Sequence, residues 1–324
     1  MARKLRLEYE NAIYHVINRG NYRHDVFGTA GAAAAFERCL FEAGGKTGWR
    51  LHAYAILRNH YHLALETPRG NLATGMHWLQ GTFATRFNRL RGERGHLFQG
   101  RYQAILVEPG PALARVADYI HLNPVRAGIV PVEQAAAFRW GSLGRFVRGP
   151  RPECLGSGAE WLRELGLADT PAGWADYGAH LQRRMAEPTE QENDEHGPLS
   201  SGWAIGTHAW RQAVAKDHAH SKLARSEHTG SEAKVLREAQ WAEATDKFLA
   251  KVGKTRVDAL EDWKGAAWKI AVAEALRRTT SATNGWIAAH LHMGTGGSVS
   301  KYVSLMGVGA GAGAGKTEIQ RIEA

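Results

Sequence analysis

The sequence of 324 residues contains very little cysteine and no long apolar segment. Two cysteines, Cys39 and Cys154, are too few for a disulfide framework or a cysteine-ligated zinc site. No run of about 18 apolar residues is present, so the sequence predicts no membrane-spanning helix. Residues 1–8 contain three basic side chains instead of the apolar core of a signal peptide, and we therefore expect a cytoplasmic protein.

Acidic side chains are scarce in the first half of the chain. Residues 1–150 contain 20 lysines and arginines, 18 of them arginine, against 10 acidic residues, whereas the remainder contains 21 basic and 22 acidic residues. A basic half beside a neutral half indicates contact with a polyanion, most simply nucleic acid. Arginine suits phosphate contact and base stacking. A general preference for arginine over lysine would explain the type of cation but not its confinement to one half.

Two histidines, His60 and His62, lie in a run from Ala53 to Glu66 that alternates like a strand. Residues two apart on a strand project from the same face, so both imidazoles would lie side by side. The intervening positions would point into a core: Tyr61, Leu63 and Leu65. Neighbouring neutral imidazoles can hold a divalent metal. Two half-exposed histidines without a ligand are the alternative.

The order of the predicted elements indicates an α+β fold. Strands are predicted at residues 11–21, within 53–66 around the two histidines, and at 97–108, while residues 49–57 either pair with the histidine strand or are continuous with it. Helices are predicted at 32–43, closed by Gly44 and Gly45, at 72–90, capped by Asn71, and from 112. The second helix has a buried stripe: Leu72, Met76, Leu79, Phe83, Phe87 and Leu90. We expect an antiparallel sheet with helices on one face, the other face being free to carry His60, His62 and a substrate.

Polar and basic residues mark two of these helices. Arg115, Tyr119 and Asn123 repeat every four residues, roughly 110° from the apolar stripe of the third helix, although Tyr119 could still pack by its ring edge. Pro124 is expected to end or kink that helix at Asn123. On the second helix, Arg86 and Arg89 lie near the C-terminus, where they complement the helix dipole or contact a DNA backbone.

The C-terminal part has a different composition. Residues 187–202 are acidic and polar, which predicts a flexible linker, and residues 307–324 form a glycine-rich tail that we also expect to be flexible. Between them, residues 203–306 are mainly helical in pattern. A helix, a glycine turn and a helix at about 283–305 predict a helix-turn-helix, with Ser298 and Lys301 on its recognition helix. A plain helical domain is the alternative.

Four motifs together resemble the single-tyrosine HUH transposases, in particular the IS200-like, REP-associated tyrosine transposases. They are Asn18-Arg-Gly-Asn21, His60-Tyr61-His62, Phe98-Gln-Gly-Arg-Tyr102, and residues 118–128 around Tyr119. The resemblance covers about residues 1–186, which we take as a catalytic domain. It implies a ferredoxin-like sheet and cleavage and rejoining of single-stranded DNA, in hairpin-containing repeats.

The resemblance also assigns site residues. It implies that His60 and His62 bind Mg²⁺ or Mn²⁺, that Asn123 completes the metal site, and that Tyr119 forms a 5′-phosphotyrosine intermediate. We expect DNA contacts, in addition, from Arg19, Arg86, Arg89, Arg115, Ser298 and Lys301. A phenol suits this chemistry because it is a better leaving group than a deoxyribose hydroxyl, so a free 3′-OH can later displace it.

Other functions stay open at this point. The chain could be a domesticated DNA-binding regulator whose HUH domain is inactive, or a nuclease of the relaxase or replication-initiator type. The sequence leaves open the DNA target, the choice of metal and whether the protein is a monomer or a homodimer. A DNA-binding protein of this kind is expected to associate with the nucleoid.

Overall fold

The computed structural model describes residues 7–186, 199–217 and 231–308. The chain divides into two compact units, Lys4–Arg211 and Gln212–Ala324 with Met1–Arg3. Most of the predicted tail at 307–324 and most of the predicted linker at 187–202 lie outside the described residues. No helix within the described ranges is long and apolar enough to cross a bilayer.

The first unit contains a five-stranded sheet in the order β2-β3-β1-β4-β5. The strands are β1 (Ala12–Arg19), β2 (Arg50–Ile56), β3 (His60–Thr67), β4 (Gln103–Val107) and β5 (Ala204–Ile205). The first four pair antiparallel in the order of a ferredoxin-like fold, as predicted. The sheet as a whole is mixed, because β5 pairs parallel with β4.

Strand β5 extends the first unit beyond the predicted domain end at residue 186. The backbone N–H of Leu106 donates to the Trp203 carbonyl, and that of Glu108 to the Ile205 carbonyl, both at 2.9 Å. Trp203 and Ile205 fall within the region predicted to be helical, and these bonds attach them to the edge of the sheet. The first unit therefore continues to Arg211.

The described part of the chain contains twelve α-helices. In the first unit they are α1 (Ala30–Thr47), α2 (Leu72–Arg91), α3 (Pro111–Arg126), α4 (Ser142–Arg148), α5 (Ala159–Leu162) and α6 (Pro171–Ala186). Helix α7 (His208–Asp217) spans the unit boundary. In the second unit they are α8 (Ser231–Lys251), α9 (Arg256–Glu261), α10 (Ala267–Thr279), α11 (Asn284–His290) and α12 (Gly296–Val308).

Helices α1 and α2 cover one face of the sheet, as predicted. The Phe36 ring of α1 lies 4.7 Å from the Tyr61 ring of β3 and 5.1 Å from the Phe83 ring of α2, measured between centroids. The opposite face is not free, however, because α3 packs over β2 and β3 there. The helix predicted to carry Tyr119 thus shares a face of the sheet with the two histidines.

Several helix limits differ from the sequence prediction. Helix α1 does not stop at Gly44 and Gly45 but ends before Gly48, which has a left-handed φ of 73°. Gly44 instead permits close packing, since a Cβ there would lie 2.6 Å from the Cys154 Cβ. In the predicted α2 stripe, Leu90 in the last turn is 82% exposed, so the buried stripe ends at Phe87.

Pro124 does not end α3, which continues to Arg126. A proline inside a helix removes one backbone hydrogen bond and costs about 3 kcal/mol. Leu122 and Pro124 are both buried in the continued helix. The predicted strand at 97–108 is also shorter than expected, since only Gln103–Val107 pairs as a strand and Phe98 makes a single bridge to Gly20.

The second unit has its own helical core, built mainly from tryptophan and aliphatic side chains. Its large buried members are Trp241, Leu249, Trp268, Val272, Leu276, Trp286, Ile287, Leu291, Met293 and Val299. Helices α11 and α12 pack against each other across a turn that contains Gly294, whose φ is 89°. The order helix, glycine turn and helix is therefore observed, while DNA recognition by it stays a prediction.

A buried ionic network joins α1 to β2 and α4 in the first unit. The Glu37 carboxylate is 4% exposed and accepts hydrogen bonds from the Tyr54 hydroxyl at 2.7 Å and from Arg145 at 2.8 Å. Arg139 contributes a further contact at 3.2 Å. Such a network stabilises the fold only when every partner is present.

Glu37→Ala is therefore expected to lower the free energy of unfolding by about 3–5 kcal/mol, because it leaves the half-buried Arg145 guanidinium and the buried Tyr54 hydroxyl without their acceptor. Urea denaturation of the full chain measures the effect. Glu42→Ala on the same helix is the matched control, since its pair with Arg86 is exposed and is worth about 0–1 kcal/mol. Equal losses in the two variants would contradict this assignment.

Candidate metal and tyrosine site

The pairing of β1 with β3 places one histidine of β1 and both histidines of β3 on the same face. His60 lies opposite Arg19, His62 opposite Ile17, and His15 opposite Ala64. Side chains of directly opposed residues project from the same side of a sheet. The centroids of the His60 and His62 rings are 5.1 Å apart, and those of His15 and His62 are 5.2 Å apart.

Helix α3 brings the predicted nucleophile to this face. The Tyr119 ring lies 5.5 Å from the His62 ring and 5.7 Å from the His15 ring, between centroids. The predicted polar face of α3 is half-buried at Arg115, Tyr119 and Asn123, whereas its apolar stripe is buried. The structure thus brings the His60, His62 and Tyr119 side chains to one face.

Hydrogen bonds orient the His60 ring. Its Nδ1 lies 2.7 Å from the Asn59 side-chain oxygen, and the Asn59 amide nitrogen donates to the Arg23 carbonyl at 3.3 Å. An amide oxygen only accepts, so His60 carries its proton on Nδ1 and keeps a lone pair on Nε2. Such an orienting bond is typical of histidines that bind metals. The sequence prediction gave Asn59 no role, although it directly precedes the histidine pair.

Burial keeps these imidazoles neutral. It lowers the pKa of His60, with a smaller contribution from Arg19, and lowers the pKa of His62 well below its usual value, with contributions from His15, His60 and Arg19. Burial also lowers the pKa of His15 to about 4. Neutral rings at pH 7 have the lone pairs that a metal requires.

The donor set fits a divalent metal. Two imidazoles that share an ion about 2.1 Å from each nitrogen have ring centroids roughly 5 Å apart, which agrees with the 5.1 Å between His60 and His62. Two nitrogen ligands favour Mn²⁺ over Mg²⁺, which prefers oxygen. Asn123 lies one turn after Tyr119, and within the described residues no hydrogen bond engages its side chain.

A second group of ligand-type side chains lies nearer the other end of β3. His52, Glu66 and Glu160 each place one ligand atom within 4.8 Å of the others. The two carboxylates approach opposite nitrogens of the His52 ring, at 3.5 Å and 3.8 Å. Arg50 also pairs with Glu66 at 3.2 Å. An imidazole between two carboxylates, with an arginine beside them, is an ion-pair arrangement more than a metal centre.

Buried polar groups hold α3 from its other side. The Asp118 carboxylate accepts hydrogen bonds from the Tyr177 hydroxyl at 2.9 Å and from His180 at 2.7 Å, both on α6. His121 lies between the Tyr177 hydroxyl at 2.9 Å and the Ser142 hydroxyl at 2.8 Å. Burial and the nearby Asp118 raise the pKa of Tyr177 well above its usual value. The sequence prediction gave Asp118 and His121 no role, although both flank Tyr119 within the quoted motif.

The basic residues predicted to bind DNA have different environments. Arg19 is exposed on the histidine face, and within the described residues it forms no ion pair. Arg86 instead makes a bidentate ion pair with Glu42, at 3.0 Å and 2.9 Å, on the side of α2 that packs against α1. Arg89 is exposed near the end of α2. Arg115 is half-buried on α3.

A further arginine lies beside the predicted nucleophile. The guanidinium of Arg126, two turns after Tyr119, lies over the Tyr119 ring at 5.3 Å from its centroid. The sequence prediction gave Arg126 no role, although the spacing of seven residues indicates a shared helix face.

On the predicted recognition helix, the Ser298 hydroxyl lies 3.1 Å from the Thr295 hydroxyl at the start of α12, whereas Lys301 is exposed.

Comparison with known proteins gives one family match. Residues 8–123 match the family described as "Transposase IS200 like". A solved structure of a REP-associated tyrosine transposase bound to a REP hairpin is 17% identical, covers 50% of this chain and 95% of that chain, and has a TM-score of 0.39. A suspected transposase from Deinococcus radiodurans R1 is 22% identical, covers 39% and 92% of the two chains, and has a TM-score of 0.27. No curated protein matches the sequence.

Proposed function

We propose that the IS200-like transposase domain formed by residues 8–123 cleaves and rejoins single-stranded DNA through a covalent bond to Tyr119. The observation that carries this proposal is the position of the Tyr119 ring, 5.5 Å from the ring of His62 on a face that also holds His60. A nucleophile beside neutral metal-type ligands is an arrangement that suits metal-assisted phosphoryl transfer.

In the proposed cleavage step, the Tyr119 phenolic oxygen attacks the scissile phosphorus. The bond to the 3′-oxygen breaks, which leaves a 5′-phosphotyrosine and a free 3′-OH. The phenol loses one proton and the departing 3′-oxygen gains one, so the step is neutral overall. Rejoining is the reverse attack by a 3′-OH, and it proceeds because a phenol is the better leaving group.

His60 and His62 would hold a divalent metal, with Asn123 as the proposed third ligand. The metal would polarise the scissile phosphate and stabilise the charge on the leaving oxygen. Arg126 already lies against the Tyr119 ring and can attract the phosphate to it. Arg19 extends the basic surface on the histidine face, and Arg89 and Arg115 are further proposed contacts to the DNA backbone.

The test is a denaturing-gel assay with a labelled single-stranded hairpin oligonucleotide, with and without Mn²⁺. A covalent adduct and a product with a free 3′-OH, both dependent on the metal, are expected. Duplex of the same sequence is the substrate control and is expected to remain uncut. Binding of DNA without adduct or nick, under all metal conditions, would contradict the proposal and support a regulator with an inactive domain.

We further propose that α11 and α12 bind duplex DNA through exposed Lys301. Lys301→Ala is expected to weaken duplex binding. The slope of the logarithm of the association constant against the logarithm of the salt concentration is expected to fall in magnitude by about 1, the effect of losing one phosphate contact. Fluorescence anisotropy at several salt concentrations measures it. Lys247→Ala is the control, because Lys247 on α8 is paired with Glu243 at 2.8 Å. An unchanged slope for Lys301→Ala would remove this surface from the proposal.

A further inference from the structure

A backbone carbonyl near the end of the predicted linker at 187–202 reaches the histidine face. The Leu199 carbonyl oxygen lies 2.7 Å from Nδ1 of His15, and Nε2 of His15 lies 3.0 Å from Nδ1 of His62. These three groups form a continuous chain of hydrogen bonds that ends at a proposed metal ligand. The side chains are buried, with His15 fully inaccessible and His62 3% exposed.

The carbonyl decides where each proton lies. A carbonyl oxygen only accepts, so Nδ1 of His15 must carry a proton and donate it. The ring is fully buried, and within the described residues no carboxylate contacts it, so a second proton and a positive charge are disfavoured. Nε2 of His15 is therefore an acceptor, and Nδ1 of His62 must be the donor to it.

The opposite proton arrangement would disable the site. A proton on Nε2 of His15 would point at Nδ1 of His62 and would force the His62 proton onto Nε2. The nitrogen that remains for a metal would then have no lone pair. The lone pair of His15 Nδ1 would also face the Leu199 oxygen at 2.7 Å, which is repulsive. The carbonyl thus selects one of two neutral arrangements.

The segment that supplies this carbonyl is held in place on the sheet edge. Strand β5 follows it directly and pairs with β4. The side-chain amide of Gln103 donates to the Ser200 carbonyl at 3.2 Å, next to Leu199. The Glu108 carboxylate accepts from the backbone N–H of Thr207 at 2.6 Å. Contacts on both sides of β5 therefore fix the position of the Leu199 oxygen.

We propose that the Leu199 carbonyl and His15 together fix His62 in the tautomer that leaves Nε2 free to bind the metal. His15 is then a positioning residue, and the segment around Leu199, just before β5, completes a site whose ligands lie far before it in sequence. This inference rests on the proposed function only for the identity of His62 as a metal ligand. The proton arrangement itself can be tested without metal or DNA.

The first test is nitrogen-15 NMR of the metal-free full chain with labelled histidine. Long-range correlations distinguish an imidazole protonated on Nδ1 from one protonated on Nε2, and comparison with His62→Ala assigns the His62 signals. We expect His15 and His62 both to carry the proton on Nδ1. A His62 ring protonated on Nε2 would overturn the proposal, and no variant of His15 is needed for this result.

The second test compares two substitutions of His15 by Mn²⁺ binding to the full chain, measured by calorimetry. His15→Leu removes the hydrogen-bond acceptor for Nδ1 of His62. It is expected to weaken Mn²⁺ binding about 10–100-fold, the usual effect of removing the hydrogen-bond partner of a metal-binding side chain. His15→Gln retains a side-chain oxygen at about the position of Nε2 and is expected to restore most of the affinity. Circular dichroism establishes that both variants are folded.

The outcomes separate this inference from the proposed function. Equal Mn²⁺ affinity of His15→Leu and the unsubstituted chain would overturn the role of His15. Equal weakening in His15→Leu and His15→Gln would also overturn it, because bulk and not the acceptor would then matter. Failure of the unsubstituted chain to bind Mn²⁺ would contradict the proposed metal site, while the NMR result would still decide the proton arrangement.

Discussion

Tyr119→Phe is expected to abolish the covalent adduct with single-stranded DNA and to lower the cleavage rate at least about 10³-fold, the scale seen when a nucleophile is removed. The substitution deletes one oxygen from a ring that packs between His62, His15 and Arg126. Its packing is otherwise retained. DNA affinity, measured by anisotropy, and the unfolding curve are therefore expected to stay unchanged.

Tyr22→Phe is the matched control for this experiment. Tyr22 is 88% exposed and lies just after β1, so it is the kind of accessible phenol that could react by accident. We expect its variant to form the adduct at the unsubstituted rate. An adduct that persists in Tyr119→Phe and disappears in Tyr22→Phe would contradict the assignment of the nucleophile. The peptide that carries the nucleotide, identified by mass spectrometry, gives an independent reading.

The sequence predicts the parts of the site that depend on local periodicity. His60 and His62 share a face because a strand repeats every two residues, and Tyr119 lies outside the apolar stripe because a helix repeats every 3.6. The match of residues 8–123 to the IS200-like transposase family confirms the resemblance drawn from the four motifs. The α+β class and the antiparallel pairing are confirmed, and residues 50–56 form a separate strand that pairs with the histidine strand instead of continuing into it.

The remaining parts depend on contacts between distant segments. His15 reads from sequence as an ordinary strand residue, and its role follows only from the β1–β3 register and from a carbonyl 184 residues away. Strand β5 has two residues, too few to show any alternation. The position of α3 in the chain does not determine which face of the sheet the helix covers. The face with the histidines was therefore expected to be open.

His60→Ala decides which of the two groups of ligand-type side chains binds the metal. It is expected to weaken Mn²⁺ binding at least about 100-fold. Losing only a hydrogen bond to a metal-binding side chain costs about 10–100-fold, and losing the side chain itself costs more. Metal-dependent cleavage is expected to fall in parallel. His60 is only half-buried at the start of β3, so its removal is expected to spare the fold.

His52→Ala is the comparison, because His52 is the imidazole of the other group, with Glu66 and Glu160. There the two carboxylates contact opposite nitrogens of the ring, so one ion cannot use both contacts as they stand. We therefore expect His52→Ala to retain Mn²⁺ affinity and cleavage, even where it lowers the free energy of unfolding. The reverse pattern, with Mn²⁺ binding lost in His52→Ala and retained in His60→Ala, would place the metal at the far end of β3 and leave Tyr119 without it.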